Sequence, residues 1–281
     1  MTDTVEPKGG FSNSFVKQDK YCEFCGAKLE QTNFVFRGII RYVPSWSHCT
    51  CKEALEKIEK EREEEREKIH QEKILAEEKR RKEKIKTLFG NSGMSKRALT
   101  CKFEGYQINM NNQEALQVCN EYVNDYDIIQ SSQRNGLFIV GNCGVGKSHL
   151  AYAVANALIE RNTSVICMTM IDLLLKIKSS FQTKEQTEEQ ILKIYEDCSL
   201  LVIDDLGKEK PTEWALQMIY TIIDRRYNAL KPIIITTNYG ATELIQRFTV
   251  GGDSSTGTAI VDRLFEMCNY VPIDGDSFRK R

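Results

Sequence analysis

The chain has 281 residues, 41% of them apolar and 28% charged, enough to build one large domain or two smaller ones around a sizeable core. Its 39 basic and 40 acidic side chains leave a net charge of −1, which excludes a uniformly basic nucleic-acid coat but leaves room for a local basic channel. The longest apolar runs, such as Leu200–Ile203 and Ile233–Ile235, are far too short to span a bilayer, and the polar start MTDTVEP predicts no secretion signal. The expectation is a cytoplasmic protein with no membrane contact.

In chain order, residues 1–20 are polar and read as a disordered start. Residues 21–51 hold four of the ten cysteines, as Cys22-x2-Cys25 and Cys49-x-Cys51. A short apolar alternation at Phe34–Phe36 and Ile39–Ile40 predicts small strands between them. Without a secretion signal, disulfides are a poor reading of these cysteines. Two close thiolate pairs can instead complete a tetrahedral Zn²⁺ site, and Gly26 after the first pair suits a metal knuckle. About fifty residues with so thin a core need such a staple. His48 is an alternative fourth ligand; reduced unligated cysteines and a redox pair are the competing readings. The other six cysteines read as buried or incidental, Cys143 being a small filler within a loop described below.

Residues 52–86 carry 25 charged side chains among 35 and contain neither Gly nor Pro, which predicts a long helix. Its apolar stripe (Leu55, Ile58, Ile69, Ile74, Leu75, Ile85) is too thin for a sustained coiled coil. A single exposed connecting helix is expected, with a partner-binding helix as the alternative. Gly90-Asn91-Ser92-Gly93 ends it. From about residue 95, apolar strands (137–140, 164–168, 200–203, 233–237) alternate with amphipathic helices (147–160, 171–181, 185–197, 212–229, 256–267). That alternation predicts an α/β domain with a parallel sheet covered on both faces. Three parts result: 1–51, 52–94 and 95–281.

The segment Gly141-Asn142-Cys143-Gly144-Val145-Gly146-Lys147-Ser148 fits G-x4-G-K-[ST], with an apolar strand before it and a helix pattern from His149 after it. Glycines let backbone N–H groups close around phosphates, and the helix N-terminus adds partial positive charge. Residues 141–149, His149 included, would line the nucleotide; Lys147 would reach the terminal phosphates and Ser148 would supply a Mg²⁺ ligand. The run Leu200–Asp205 then sets two carboxylates at a strand tip: Asp204 for the metal shell, Asp205 to orient or deprotonate a water. A helix N-cap pair is the plain structural alternative. Asn238, at the tip of the strand Ile233–Thr237, can hold the attacking water; a turn-forming Asn before Gly240 is the alternative.

Together with Gly136–Gly141, Leu201–Gly207, Asp224-Arg225-Arg226-Tyr227, Ile235–Asn238, Val261-Asp262-Arg263-Leu264 and Asp276–Arg279, these motifs make residues 103–279 resemble the AAA+ ATPases of the DnaC/DnaI-type helicase loaders and their IstB-type transposition relatives. The resemblance implies a P-loop AAA+ core without a C-terminal lid, preceded by a small zinc-binding domain and the charged helix. It implies ATP hydrolysis at subunit interfaces, with Mg²⁺. Lys147 and Ser148 match Walker A, Asp204 and Asp205 match Walker B, Asn238 matches the first sensor, Arg263 looks like the arginine finger, and Arg279 resembles a second sensor. Asp205 departs from the wider pattern, where Glu is usual, so slow turnover is expected.

Single-stranded DNA binding is the family's usual second property. Candidate contacts are Phe181 and Trp214 for stacking and Lys176, Lys178, Lys208 and Lys210 for phosphates; helix-face core residues are the competing reading of the two aromatics. The resemblance further implies a DnaB-type hexameric helicase as partner and self-assembly into a spiral or hexamer upon it. The competing functions are a transposition helper ATPase and a zinc nucleic-acid-binding module whose nucleotide site is only a structural switch.

Overall fold

The computed structural model describes residues 17–89, 93–180 and 187–278. The chain divides into two compact units between Ile74 and Leu75.

In the first unit, β1 (Lys20–Tyr21) pairs antiparallel with β2 (Lys28–Leu29), and β3 (Gln31–Phe36) pairs with β4 (Ile39–Trp46) as a hairpin. The Gln31 side chain fastens the open end of this hairpin, accepting from the Gln18 N–H at 2.6 Å and donating to the Val43 carbonyl at 2.9 Å. Among the described residues up to Ile74, only Cys22, Gln31 and Ala54 are buried. Apolar burial among these residues therefore contributes little to the unit. The helix α1 (Lys52–Phe89) begins directly after the last cysteine.

Residues 75–89 of α1 belong to the second unit and are not a free spacer. Glu78 accepts from the Ser164 N–H at 3.0 Å and the Ser199 hydroxyl at 2.6 Å. Lys82 donates to Asn162 Oδ1 at 3.1 Å, and Ile85 is buried in the core. Spacings of three and four residues put Glu78, Lys82 and Ile85 on one helix face, which the dense charge run conceals. The domain boundary thus falls within the helix, in place of a connector that is exposed throughout.

The second unit continues with α2 (Lys96–Leu99), α3 (Gln113–Asn124), α4 (Tyr126–Ile129), β5 (Gly136–Gly141), α5 (Lys147–Glu160), β6 (Val165–Thr169), α6 (Met170–Ser180), α7 (Glu188–Asp197), β7 (Leu200–Leu206), α8 (Glu213–Asn228), β8 (Ile233–Thr237), α9 (Ala241–Phe248), α10 (Ser255–Met267) and β9 (Cys268–Ile273). The five strands form one parallel sheet in the order β6-β7-β8-β5-β9. Alternate residues feed opposite faces. Phe138, Val140, Leu201, Ile203, Ile233 and Ile235 pack with α6 to α10, whereas Leu137, Ile139, Leu200, Val202 and Ile234 pack with α2, α3 and α5. β9 escapes sequence patterning because Asn269, Tyr270 and Pro272 interrupt its apolar run. Its edge position tolerates a proline that cannot donate to the ladder. No helix among the described residues is long and apolar enough to cross a membrane.

Arg226 is fully buried on α8 and donates to the carbonyls of Tyr195 (2.5 Å), Cys198 (3.0 Å) and Pro232 (2.5 Å). It thereby gathers the loops that enter β7 and β8, leaving their opposite ends to carry the polar residues.

Candidate functional site

The strand order creates the site. β8 lies between β5, which leads into the glycine-rich loop, and β7, which ends in the acid pair. The residue after β8 therefore sits between the two. Lys147, the first residue of α5, is buried, and its ammonium donates to the carbonyls of Gly141 and Asn142 at 2.8 Å each and to Asn238 Oδ1 at 2.6 Å. Lys147 and Asn238, 91 residues apart, thus meet directly.

Gly146 caps α5 with φ +103, and a Cβ built there would lie 2.8 Å from the Tyr106 ring. Only glycine suits both the conformation and the space. The loop backbone is also met by the chain's last described turn, where the Phe278 N–H donates to the Gly144 carbonyl at 3.0 Å. Arg279, the expected second sensor, lies just outside the described residues. Ser148 is half-buried in the first turn of α5, and Cys143 is exposed. His149 turns aside from the loop: its Nε2 is 2.8 Å from the Lys102 carbonyl and its ring meets Tyr106 edge-on at 5.3 Å.

Both acids are tied to Thr236 of β8, a residue within the Ile235–Asn238 motif to which the sequence assigned no role of its own. The Thr236 hydroxyl donates to Asp204 Oδ1 at 2.5 Å and accepts the Asp205 N–H at 2.9 Å. Tyr152 on α5 donates to Asp204 Oδ2. Burial, and then the Asp204 charge, hold the Tyr152 phenol well above its usual range, so it remains a donor. Asp204 is buried, yet each carboxylate oxygen keeps a second lone pair for a metal-bound water. Asp205 takes a left-handed conformation (φ +58) and its carboxylate pairs with Lys208 at 3.0 Å. Lys147, Asp204, Asp205 and Asn238 therefore converge at the C-terminal ends of β5, β7 and β8, a donor and acceptor set that fits a nucleotide with Mg²⁺.

Arg263, on α10, is held within its own chain. Its guanidinium pairs with Asp224 at 2.8 Å and lies over the rings of Tyr220 (5.0 Å) and Tyr227 (5.7 Å). The segment Asp224–Tyr227 is thus explained residue by residue: Asp224 and Tyr227 frame Arg263, Arg225 pairs with Glu189 at 2.8 Å, and Arg226 is the buried carbonyl clamp.

Of the expected strand contacts, Lys176 and Lys178 lie on α6 and Lys210 is exposed after β7, while Lys208 is engaged with Asp205. Trp214 is partly buried and packs against the core, which favours the structural reading of that ring. Phe181 lies outside the described residues.

In the first unit the four Sγ atoms of Cys22, Cys25, Cys49 and Cys51 all lie within 4.8 Å of one another, with Cys22–Cys51 at 3.8 Å and Cys25–Cys49 at 3.3 Å. A tetrahedral Zn²⁺ with Zn–S bonds of about 2.3 Å needs sulfurs about 3.8 Å apart, so the cluster fits that ion. A tight turn, in which the Gly26 N–H donates to the Cys22 carbonyl at 3.0 Å, presents the first pair. Backbone N–H groups of Cys25 and Phe24 face the Cys22 sulfur and lower its thiol to about 7, while crowding by the neighbouring sulfurs and burial push the Cys25 and Cys51 thiols up, so the thiolate character of the cluster is centred on Cys22. His48 is exposed and stands outside the cluster.

Residues 51–281 match the family of IstB-like ATP binding proteins. The replicative helicase loader DnaC of Escherichia coli (strain K12) is 30% identical over 201 residues, covering 70% of this chain and 77% of that protein. A crystal structure of the DnaC helicase loader aligns with a TM-score of 0.53 at 31% identity, covering 64% of this chain and 99% of that one. A crystal structure of DnaI aligns with a TM-score of 0.56, covering 64% of this chain and 94% of that one; at 24% identity it speaks to the fold alone.

Proposed function

Because this chain belongs to the family of IstB-like ATP binding proteins, we propose that it is an ATP-hydrolysing loader of a DnaB-type hexameric replicative helicase onto single-stranded DNA. The observation that carries the ATPase reading is the meeting of Lys147 with Asn238 beside the acid pair. In the proposed reaction the Lys147 ammonium pairs with the terminal phosphates of ATP. Asn238 holds the attacking water, and Asp205 orients it and takes its proton. Ser148 and Asp204 would hold Mg²⁺, which when bound would neutralise phosphate charge. Arg263 stabilises transition-state charge on the ATP of a neighbouring subunit in a spiral or hexamer, and Arg279 supplies a second phosphate contact.

The helicase-loading reading rests on the likeness to DnaC over most of both chains. The four-cysteine cluster supports a zinc-stabilised module that grips the helicase. The hairpin there exposes Phe34, Val35, Ile39 and Ile40, the kind of apolar surface that protein partners cover. Lys176, Lys178 and Lys210, with Phe181 as a stacking partner, are proposed to follow the DNA strand, and Trp214 is the weaker candidate because it packs on the core. A transposition-helper role shares the same ATPase core and is favoured by the family match alone.

The test is ATP turnover by the full chain with and without single-stranded DNA. Turnover that rises with DNA and is abolished by Lys147→Ala is expected. Absence of turnover in both conditions would leave only the structural-switch reading.

A further inference from the structure

We propose that Arg247 is a positioning residue for ATP hydrolysis, clamping the two loops that carry Asp205 and Asn238. The inference rests on the ATPase reading above. Arg247 lies in the last turn of α9, outside every sequence motif. Its Nε donates to the Gly207 carbonyl and its Nη2 to the Lys208 carbonyl at 2.6 Å. Its guanidinium carbon stands 4.2 Å from the centre of the Tyr239 ring. Gly207 and Lys208 follow Asp205 closely, and Tyr239 follows Asn238 directly. One side chain therefore grips the outgoing ends of β7 and β8 just beyond their polar tips.

The acid-bearing loop requires such a grip. Asp205 sits at φ +58, a left-handed conformation that a non-glycine residue keeps only when its surroundings over-determine it, and Gly207 two residues on, at φ +78, completes the turn. A Cβ built on Gly207 would lie 2.5 Å from the Leu244 side chain of α9, so the loop is already pressed against that helix. The Thr237 hydroxyl holds the Leu206 carbonyl at 2.8 Å, and Arg247 takes the next two carbonyls in sequence. A planar fork that bonds two carbonyls while stacking on a ring is a task for arginine; a lysine keeps the charge and loses the geometry. The helix itself does not need Arg247, because Leu244 and Phe248 anchor α9 with full burial. What Arg247 adds is a fixed spacing between acid and amide.

The experiment measures steady-state ATP hydrolysis by the full chain with single-stranded DNA present, the Kd of AMP-PNP, and the melting midpoint, for wild type, Arg247→Lys and Tyr239→Leu. A misplaced catalytic group costs about tenfold to a hundredfold in turnover. Arg247→Lys is expected to lower kcat by at least about tenfold, with KM, Kd and melting midpoint near wild type. Tyr239→Leu, which removes the ring and spares both carbonyl bonds, is expected to show the same split at smaller size. Should Arg247→Lys melt early, the Tyr239→Leu split decides the matter. Unchanged kcat in both variants, or a fall in kcat matched by weaker binding, overturns the assignment while wild-type turnover preserves the ATPase reading. A wild type without turnover overturns that reading and this inference with it.

Discussion

Replacing Thr236 by valine removes one hydroxyl and almost no volume, so its effect isolates two hydrogen bonds. Thr236 is fully buried; it donates to the Asp204 carboxylate at 2.5 Å and accepts the Asp205 N–H at 2.9 Å. A bond to a charged group contributes about 1.5–3 kcal/mol and a neutral one about 0.5–1.5 kcal/mol, so Thr236→Val is expected to cost about 3 kcal/mol. For a unit of this size each kcal/mol shifts the melting midpoint by about 2–4 °C, giving a fall of about 6–12 °C. Thr236→Ser keeps the hydroxyl and loses one methyl, worth about 1 kcal/mol. Thermal unfolding followed by circular dichroism reads both. A valine variant melting within about 2 °C of wild type, or a serine variant falling as far as valine, refutes the claim that this hydroxyl ties the acid pair to β8.

Three further outcomes are expected. Cys22→Ser should reduce the zinc content from one ion per chain to near none by elemental analysis, and should increase proteolysis within residues 17–51. Glu78→Ala orphans the Ser164 N–H and the Ser199 hydroxyl, so it should destabilise the second unit by about 1–3 kcal/mol in urea and expose residues 75–89 to protease. Lys147→Ala and Arg263→Ala subunits, each inactive alone, should regain ATP turnover when mixed; no recovery would confine Arg263 to its pairing with Asp224 within the chain.

What the sequence disclosed was what is local. The phosphate loop, the acid pair and Asn238 each announce themselves through a few adjacent residues at the end of an apolar run, and the sheet order brings them together. The cysteine pairs were legible for the same reason. Residues that act across the fold were not. Thr236 looks like any β-branched strand residue, and Tyr152 like any aromatic on a helix face. Glu78 is hidden among the acidic neighbours of α1, although it is the one that meets the Ser164 N–H and the Ser199 hydroxyl. Arg226 stands in the Asp224–Tyr227 segment with nothing in its neighbours to mark it as buried, yet it is among the largest fully buried side chains of the described residues. Their roles depend on partners dozens of residues away, which no local pattern encodes.

This chain is proposed to serve a replicative helicase. The test mixes the full chain at micromolar concentration with a DnaB-type hexameric helicase from the same organism, followed by size-exclusion chromatography with light scattering. A defined complex that forms with wild type and is lost with Cys22→Ser is the expected result. Separate elution of the two proteins, with and without ATP, would contradict the account.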